Sequence, residues 1–179
     1  MIVSYNKEIA NSSSIDWLVC IMSDTNVNRW KQEGSLFVWR FQENIRNYPG
    51  RHLSADDVGA NSIIDLLDRM LAAQWGSQKL LNVMPPPVEV LRVANNMGGK
   101  ARWESPHSML IKYPKGKVTD DYWSLEGDDE LVFAVGQTGL SLFRHSMIRL
   151  LQKEKDFSIG PPDEIATRAE WNKMCLWFW

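Results

Sequence analysis

Histidine is the side chain best suited to acid–base chemistry near neutral pH. The chain contains three: His52, His107 and His145. His107 and His145 would form a general acid and a general base if the segments that carry them met in space, which is the alternative of a hydrolase or nuclease without a short motif. The sequence holds none of the short motifs typical of phosphate-binding loops, zinc proteases or serine hydrolases. We therefore expect no catalytic residues and no enzyme.

The two cysteines, Cys20 and Cys175, each lie in an apolar run. Such cysteines are expected to be small buried side chains in a reducing compartment, and a disulfide between them is the less favoured alternative. No Cys/His spacing typical of zinc occurs, and the acidic residues lack the alternation around a glycine that calcium loops use. The sequence thus predicts neither a metal site nor a cofactor.

The strongest charge pattern is an acidic segment, residues 119–130. It holds six carboxylates and no lysine or arginine, and basic residues flank it at 100–117 and 144–155. One interpretation is a solvated loop whose carboxylates pair with those flanking cations. The other is a surface for a basic protein, with the carboxylates attracting the partner and two aromatic rings slowing its dissociation. We predict the second, with these partner-binding residues: Asp120, Asp121, Tyr122, Trp123, Glu126, Asp128, Asp129 and Glu130.

The basic stretch 100–117 suggests a further alternative, an adaptor that binds nucleic acid. Trp103 and Tyr113 are interleaved with its cations, so it could track phosphates and stack bases. The adjacent acidic segment would repel the same strand, and a net charge of −2 gives no general attraction. We therefore expect no direct contact with nucleic acid.

Length and hydropathy set the broad class. A chain of 179 residues predicts a single globular domain, 1–179, and 44% hydrophobic residues suffice for a core. Residues 1–7 do not resemble a signal peptide, and no apolar run approaches the roughly 20 residues of a membrane span. The expected location is the cytoplasm, with no membrane partner.

Apolar periodicity predicts the elements. A helix is expected from about Ser54 to Gly76, and a second is opened by prolines 85–87 and ended by Gly98. Strands are expected at 36–41, 108–113 and 131–135. Two segments stay open: 15–22 fits a helix or a strand, and 140–151 fits one helix or a strand followed by a helix.

A last helix is predicted from Pro162, with an apolar stripe of Ile165, Ala169, Met174 and Trp177 that docks on the core. The fold class expected from these elements is α+β, helix-rich in the N-terminal two thirds, with a small, mostly antiparallel sheet and a C-terminal helix.

The acidic run 120–130 and a tryptophan-rich end, within a chain of nine tryptophans, resemble the immunity proteins of bacterial polymorphic-toxin systems, such as those of contact-dependent growth inhibition. The resemblance implies an inhibitor that binds one cognate toxin, often a basic nuclease, and covers its active or substrate-binding surface. Immunity proteins share no single fold, so the resemblance implies nothing further about structure.

Overall fold

The structure, a computed structural model, describes residues 26–43, 48–73, 76–93, 100–116 and 118–179. The segment 15–22 and Cys20 lie outside these ranges. The described residues form nine strands: β1 (Leu36–Phe41), β2 (Arg51–Ala55), β3 (Ser77–Asn82), β4 (Trp103–Glu104), β5 (Ser108–Tyr113), β6 (Trp123–Glu126), β7 (Glu130–Val135), β8 (Phe157–Ile159) and β9 (Leu176–Phe178). They also form three helices: α1 (Asp57–Ala73), α2 (Gln137–Leu151) and α3 (Arg168–Met174).

The strands form two mixed sheets. The five-stranded sheet has the order β4-β1-β2-β9-β8, and the four-stranded sheet has the order β3-β5-β7-β6. In each sheet one pair is parallel, β2 with β9 and β5 with β7, and the other pairs are antiparallel. Among the described residues, an isolated parallel bridge joins Phe37 of β1 to Met84, two residues after the end of β3.

The main core lies between the sheets and the two long helices. Helix α1 contributes Ile63, Leu66, Leu67 and Met70, whose spacing places them on one buried face. Helix α2 packs beside α1 and adds four large apolar side chains to this core, those of Leu140, Phe143, Met147 and Leu150. The inner faces of both sheets complete the same cluster.

A second, smaller cluster covers the other face of the five-stranded sheet. Trp39, Phe41 and Ala101 form its buried centre. Residues of the 90–93 segment, together with Trp103 and Trp179, pack around this centre. The five-stranded sheet is therefore covered on both of its faces.

The predicted helix-rich fold class is wrong, because the described residues contain slightly more strand than helix and form two sheets instead of one small sheet. Of the helix predicted from prolines 85–87 to Gly98, the described residues 85–93 contain only a turn at 88–91, and residues 94–98 lie outside the described ranges. Residues 77–82, to which no element was assigned from sequence, form β3 and pair with β5. Strand β2 was missed because it is short and buries an arginine and a histidine.

Several predicted elements are confirmed. Strands β1, β5 and β7 occupy the three predicted runs, and α1 fills the predicted first helix. Helix α1 begins after Asp56, whose carboxylate accepts the Gly59 N–H at 2.6 Å and the Ser35 N–H at 3.0 Å. The open segment 140–151 is a single helix, α2.

The predicted last helix is shorter than expected. It begins at Arg168, where a capping box between Thr167 and Glu170 starts it, and Ile165 lies outside it and is exposed. The predicted docking through the apolar stripe is wrong, because α3 has no buried residue, Ile165 and Ala169 are exposed, and Met174 is only partly buried. The end of the chain is instead held by β9, whose Leu176 and Phe178 are fully buried between β2 and β8. Among the described residues, no helix has the length and apolar character needed to cross a membrane.

Candidate functional site

The acidic segment contains strand β6 and the turn of a β-hairpin and is therefore not a continuous loop. Strands β6 and β7 pair antiparallel from Trp123 opposite Val135 to Glu126 opposite Val132. The turn between them needs a glycine at Gly127, where φ is +93° and an added Cβ would lie 2.1 Å from the Glu130 carbonyl oxygen. Strand β6 forms one edge of the four-stranded sheet. We call residues 120–130 the acidic hairpin.

Trp123 is a core residue, so the prediction that its ring makes an exposed contact is wrong. Its ring packs edge-on against Phe133 at 5.0 Å between centroids. Its indole N–H donates to the Met174 carbonyl oxygen at 2.9 Å, which ties β6 to α3. Leu125 is also buried, and Tyr122 is half-buried. The Trp123 side chain, predicted to contact a partner, thus holds the hairpin against the core and α3.

The carboxylates lie at two ends of the hairpin instead of in one cluster. Asp120 and Asp121 lie beside the start of α2, where the Thr138 N–H donates to the Asp120 carbonyl oxygen at 3.0 Å. Glu126, Asp128, Asp129 and Glu130 lie around the turn at the other end. A strand advances about 3.3 Å per residue, so the three steps from Trp123 to Glu126 separate the two groups by about 10 Å.

Asp128 belongs to an internal ion-pair network. Its Oδ1 accepts from Arg51 at 2.8 Å and from Arg40 at 2.9 Å, and Arg40 also pairs with Glu104. Arg51 is buried and donates at 2.6 Å to the Gly127 carbonyl oxygen. Burial, and then the charge of Arg40, lower the pKa of Arg51, whereas Asp128 opposes this shift. Asp128 therefore anchors the turn to the five-stranded sheet.

The other five carboxylates of the hairpin are exposed and form no ion pair among the described residues: Asp120, Asp121, Glu126, Asp129 and Glu130. Four flanking cations instead pair with carboxylates elsewhere. Arg102 pairs with Glu43, Arg144 with Asp68, Arg149 with Glu154 and Lys153 with Asp57. Among the described residues, the flanking cations therefore do not form ion pairs with these five carboxylates.

An open groove of about 860 Å³ runs beside the turn. Its walls come from the end of β1, from β2 and the turn before it, from the acidic hairpin and from α3. The charged side chains that line it are balanced in sign: Arg40, Arg51, Lys173, Glu104, Glu126 and Asp128. Among the described residues, no three His, Cys, Asp or Glu side chains form a group that could hold a metal ion.

The structure does not bring His107 and His145 together. The backbone N–H of His107 donates at 2.7 Å to the Asp129 carbonyl oxygen, just before β7 begins. His145 lies on α2 and lines a shallow cavity with Asp120, beyond the other end of β7. Neither imidazole has a hydrogen bond or ring contact to the other within the described part of the chain. The basic stretch is also a poor base-stacking surface, because Tyr113 is buried.

His52 is a buried titratable group to which the sequence assigned no role. It is fully buried between the rings of Trp39 and Trp179, at 5.3 and 5.9 Å between centroids and nearly parallel to both. The Trp179 indole N–H donates at 2.8 Å to Nδ1, so Nε2 carries the proton of the neutral ring. Burial lowers the pKa of His52 to about 4. Its position in a short strand between two other buried residues gave no local signal.

This burial predicts acid sensitivity. The folded-state pKa of about 4 lies below the ordinary 6.5, so the unfolded chain binds the proton first and stability falls as pH drops from about 6.5 to 4. The expected loss from His52 is about 3 kcal/mol at pH 4. Denaturant unfolding at pH 7 and pH 4 measures it. His52→Phe should reduce the pH dependence, and the exposed control His145→Gln should retain it. An unchanged pH dependence in His52→Phe would contradict the assignment.

Comparisons of the chain with models of protein families, with curated proteins and with solved structures each give no match.

Proposed function

We propose that this protein is a protein-binding inhibitor, an immunity protein that neutralises a cognate bacterial toxin in the cytoplasm. The partner is a basic nuclease, and the inhibitor covers its active or substrate-binding surface. The contact is made by the exposed carboxylates of the acidic hairpin. Trp123, placed at the contact by sequence, is now assigned to the core, and Asp128 to the anchor of the turn.

The observation that carries the proposal is the set of five exposed hairpin carboxylates without ion pairs among the described residues. Glu126, Asp129 and Glu130 lie within five residues of one another around one turn, so their like charges repel. A basic partner would relieve that repulsion. Nuclease surfaces shaped for phosphates carry cations, and carboxylates can take the place of the phosphates there.

The hairpin also holds these carboxylates on a rigid support. Strand β6 is fixed by its pairing with β7 and by the Trp123 bond to α3. The turn is fixed by Asp128, which bonds both Arg40 and the buried Arg51. A contact surface that is already ordered loses little conformational entropy on binding, so more of the electrostatic attraction is retained as affinity.

The test is a charge reversal with a matched control. Glu126→Lys, Asp129→Lys and Glu130→Lys together should slow association with a candidate basic toxin domain by ten-fold to a thousand-fold, because steering by surface charge has about that size. Asp128 is left intact so that the fold is kept. The binding kinetics are measured at low salt.

The control reverses three exposed acids elsewhere: Glu89→Lys, Asp163→Lys and Glu164→Lys. It changes the net charge by the same amount, so an effect confined to the hairpin variant identifies a local contact. Equal losses in both triple variants, or none in the hairpin variant, would contradict the proposal.

A further inference from the structure

Among the described residues, the four-stranded sheet packs one face on the core and leaves the other face outside both hydrophobic clusters. The core-facing residues of its two central strands are Met109, Ile111, Leu131 and Phe133, all essentially fully buried. Side chains alternate along a strand, so the residues between these point to the opposite face. The same alternation in β6 places Glu126 on that opposite face, since Leu125 is buried.

The strand register aligns an apolar row across this outer face. Leu80 of β3 lies opposite Leu110 of β5, Leu110 lies beside Val132 of β7, and Val132 lies opposite Glu126 of β6. Leu80 is 51% exposed, and Leu110 and Val132 are half-buried. Four strands about 4.8 Å apart make a row roughly 14 Å long. The row thus consists of three apolar side chains followed by the carboxylate of Glu126 at one end.

The neighbouring rows give this face its charge. On one side, Ser108 lies beside Glu130, which brings a second hairpin carboxylate next to the apolar row. On the other side, Lys112 lies beside Ala134 and is the cation of this face. The acidic border therefore lies along β6 and the start of β7, and Lys112 lies on the central strand β5, in the row on the other side of the apolar one.

The two sheets differ in how their second faces are covered. The outer face of the five-stranded sheet carries the cluster around Trp39 and Phe41. Among the described residues, neither hydrophobic cluster includes Leu80, Leu110 or Val132. An apolar surface of this kind, bordered by polar residues, is typical of a protein contact, whose centre is apolar and whose rim is charged.

We propose that the basic partner docks on this outer face, with Leu80, Leu110 and Val132 at the centre of the contact and Glu126 and Glu130 at its acidic border. The inference rests on the proposed function and specifies the surface that the inhibitor uses. The occupant is a basic protein with an apolar patch bordered by lysine or arginine. Charge complementarity selects it, because the two carboxylates beside the apolar row form no ion pair among the described residues.

The test uses two ten-residue peptide probes of equal charge, one of alternating lysine and leucine and one of alternating lysine and serine. The leucine peptide should bind the full chain at least ten-fold more tightly. Leu80→Gln with Val132→Thr should abolish that difference, whereas the matched control Val58→Gln with Val88→Gln, two exposed apolar residues elsewhere, should keep it. Fluorescence anisotropy of labelled peptides gives the dissociation constants.

Amide chemical shifts of the unsubstituted chain supply an independent readout that does not depend on a folded variant. The leucine peptide should shift residues 80, 110, 126, 130 and 132. Shifts confined to other residues, or an unchanged preference in the Leu80/Val132 variant, would overturn the inference. Dimerisation of the free chain that the same variant abolishes would also overturn it, since a second copy would then be the occupant.

The failure of this inference differs from the failure of the proposed function. If Glu126→Lys weakens both peptides while the Leu80/Val132 variant changes neither, the acidic contact stands and only the docking face is wrong. If Glu126→Lys with Glu130→Lys also leaves both peptides unaffected, the acidic hairpin itself is not a binding surface, and both proposals fail.

Discussion

Deletion of residues 173–179 is expected to abolish cooperative folding. The deletion removes β9, the strand between β2 and β8, and with it the fully buried side chains of Leu176 and Phe178. Each such side chain contributes about 2–5 kcal/mol when truncated in a core, and a domain of this size is stable by only about 5–15 kcal/mol. The loss also leaves the edges of β2 and β8 unpaired. Circular dichroism during heating should show no sigmoidal transition.

The control is Ile165→Ala, because Ile165 is exposed and was assigned by sequence to the same docking stripe. That variant should melt within a few degrees of the parent. Phe178→Ala gives a graded version of the deletion, with an expected loss of about 3–5 kcal/mol. A truncated chain that melts cooperatively near the parent temperature would show that β9 does not hold the sheet together.

Trp123→Ala is expected to lower the free energy of unfolding by about 3–5 kcal/mol, the usual cost of removing a large buried aromatic ring. The substitution removes the contact with Phe133 and the hydrogen bond to Met174. It also leaves a cavity beside Gly139, where an added Cβ would lie 3.3 Å from the indole ring. Urea unfolding followed by circular dichroism measures the loss.

Trp123→Phe keeps an aromatic ring and loses the indole donor, so it should cost less than the alanine variant. Tyr122→Ala, at the half-buried neighbouring position, serves as a local control and should cost about 1 kcal/mol. If Trp123→Ala were as stable as the parent, the ring would be free for partner contact and the core assignment would be wrong.

The sequence could predict the elements whose signals are local. Strands β5 and β7 are apolar runs at the centre of a sheet, and α1 repeats its buried residues at helical spacing. Strands β8 and β9 have three residues each, too few for a period. Strand β9 also pairs with β2, more than 120 residues away, and no local pattern encodes such a partner.

The acidic hairpin shows the same division. Its negative charge could be predicted from composition, but its strand and turn were not predicted. Trp123 and Leu125 alternate with Ser124 and Glu126, and this period of two could have predicted a strand with the tryptophan inside. Nothing local shows that Asp128 bonds Arg40 and Arg51, because those residues lie on other strands. The sequence alone therefore cannot distinguish the predicted partner-binding residues that anchor the hairpin from those whose carboxylates are exposed.

We propose that the exposed carboxylates of the acidic hairpin attract a basic protein. The most direct measurement is the association rate of the unsubstituted chain with the candidate toxin domain between about 10 and 500 mM salt, over which the screening length falls from roughly 30 Å to a few ångströms. The parent rate should fall steeply with salt, and the Glu126→Lys, Asp129→Lys, Glu130→Lys variant should associate slowly at a rate that barely depends on salt. A parent rate that is independent of salt, or a variant with the parent's salt dependence, would contradict the claim.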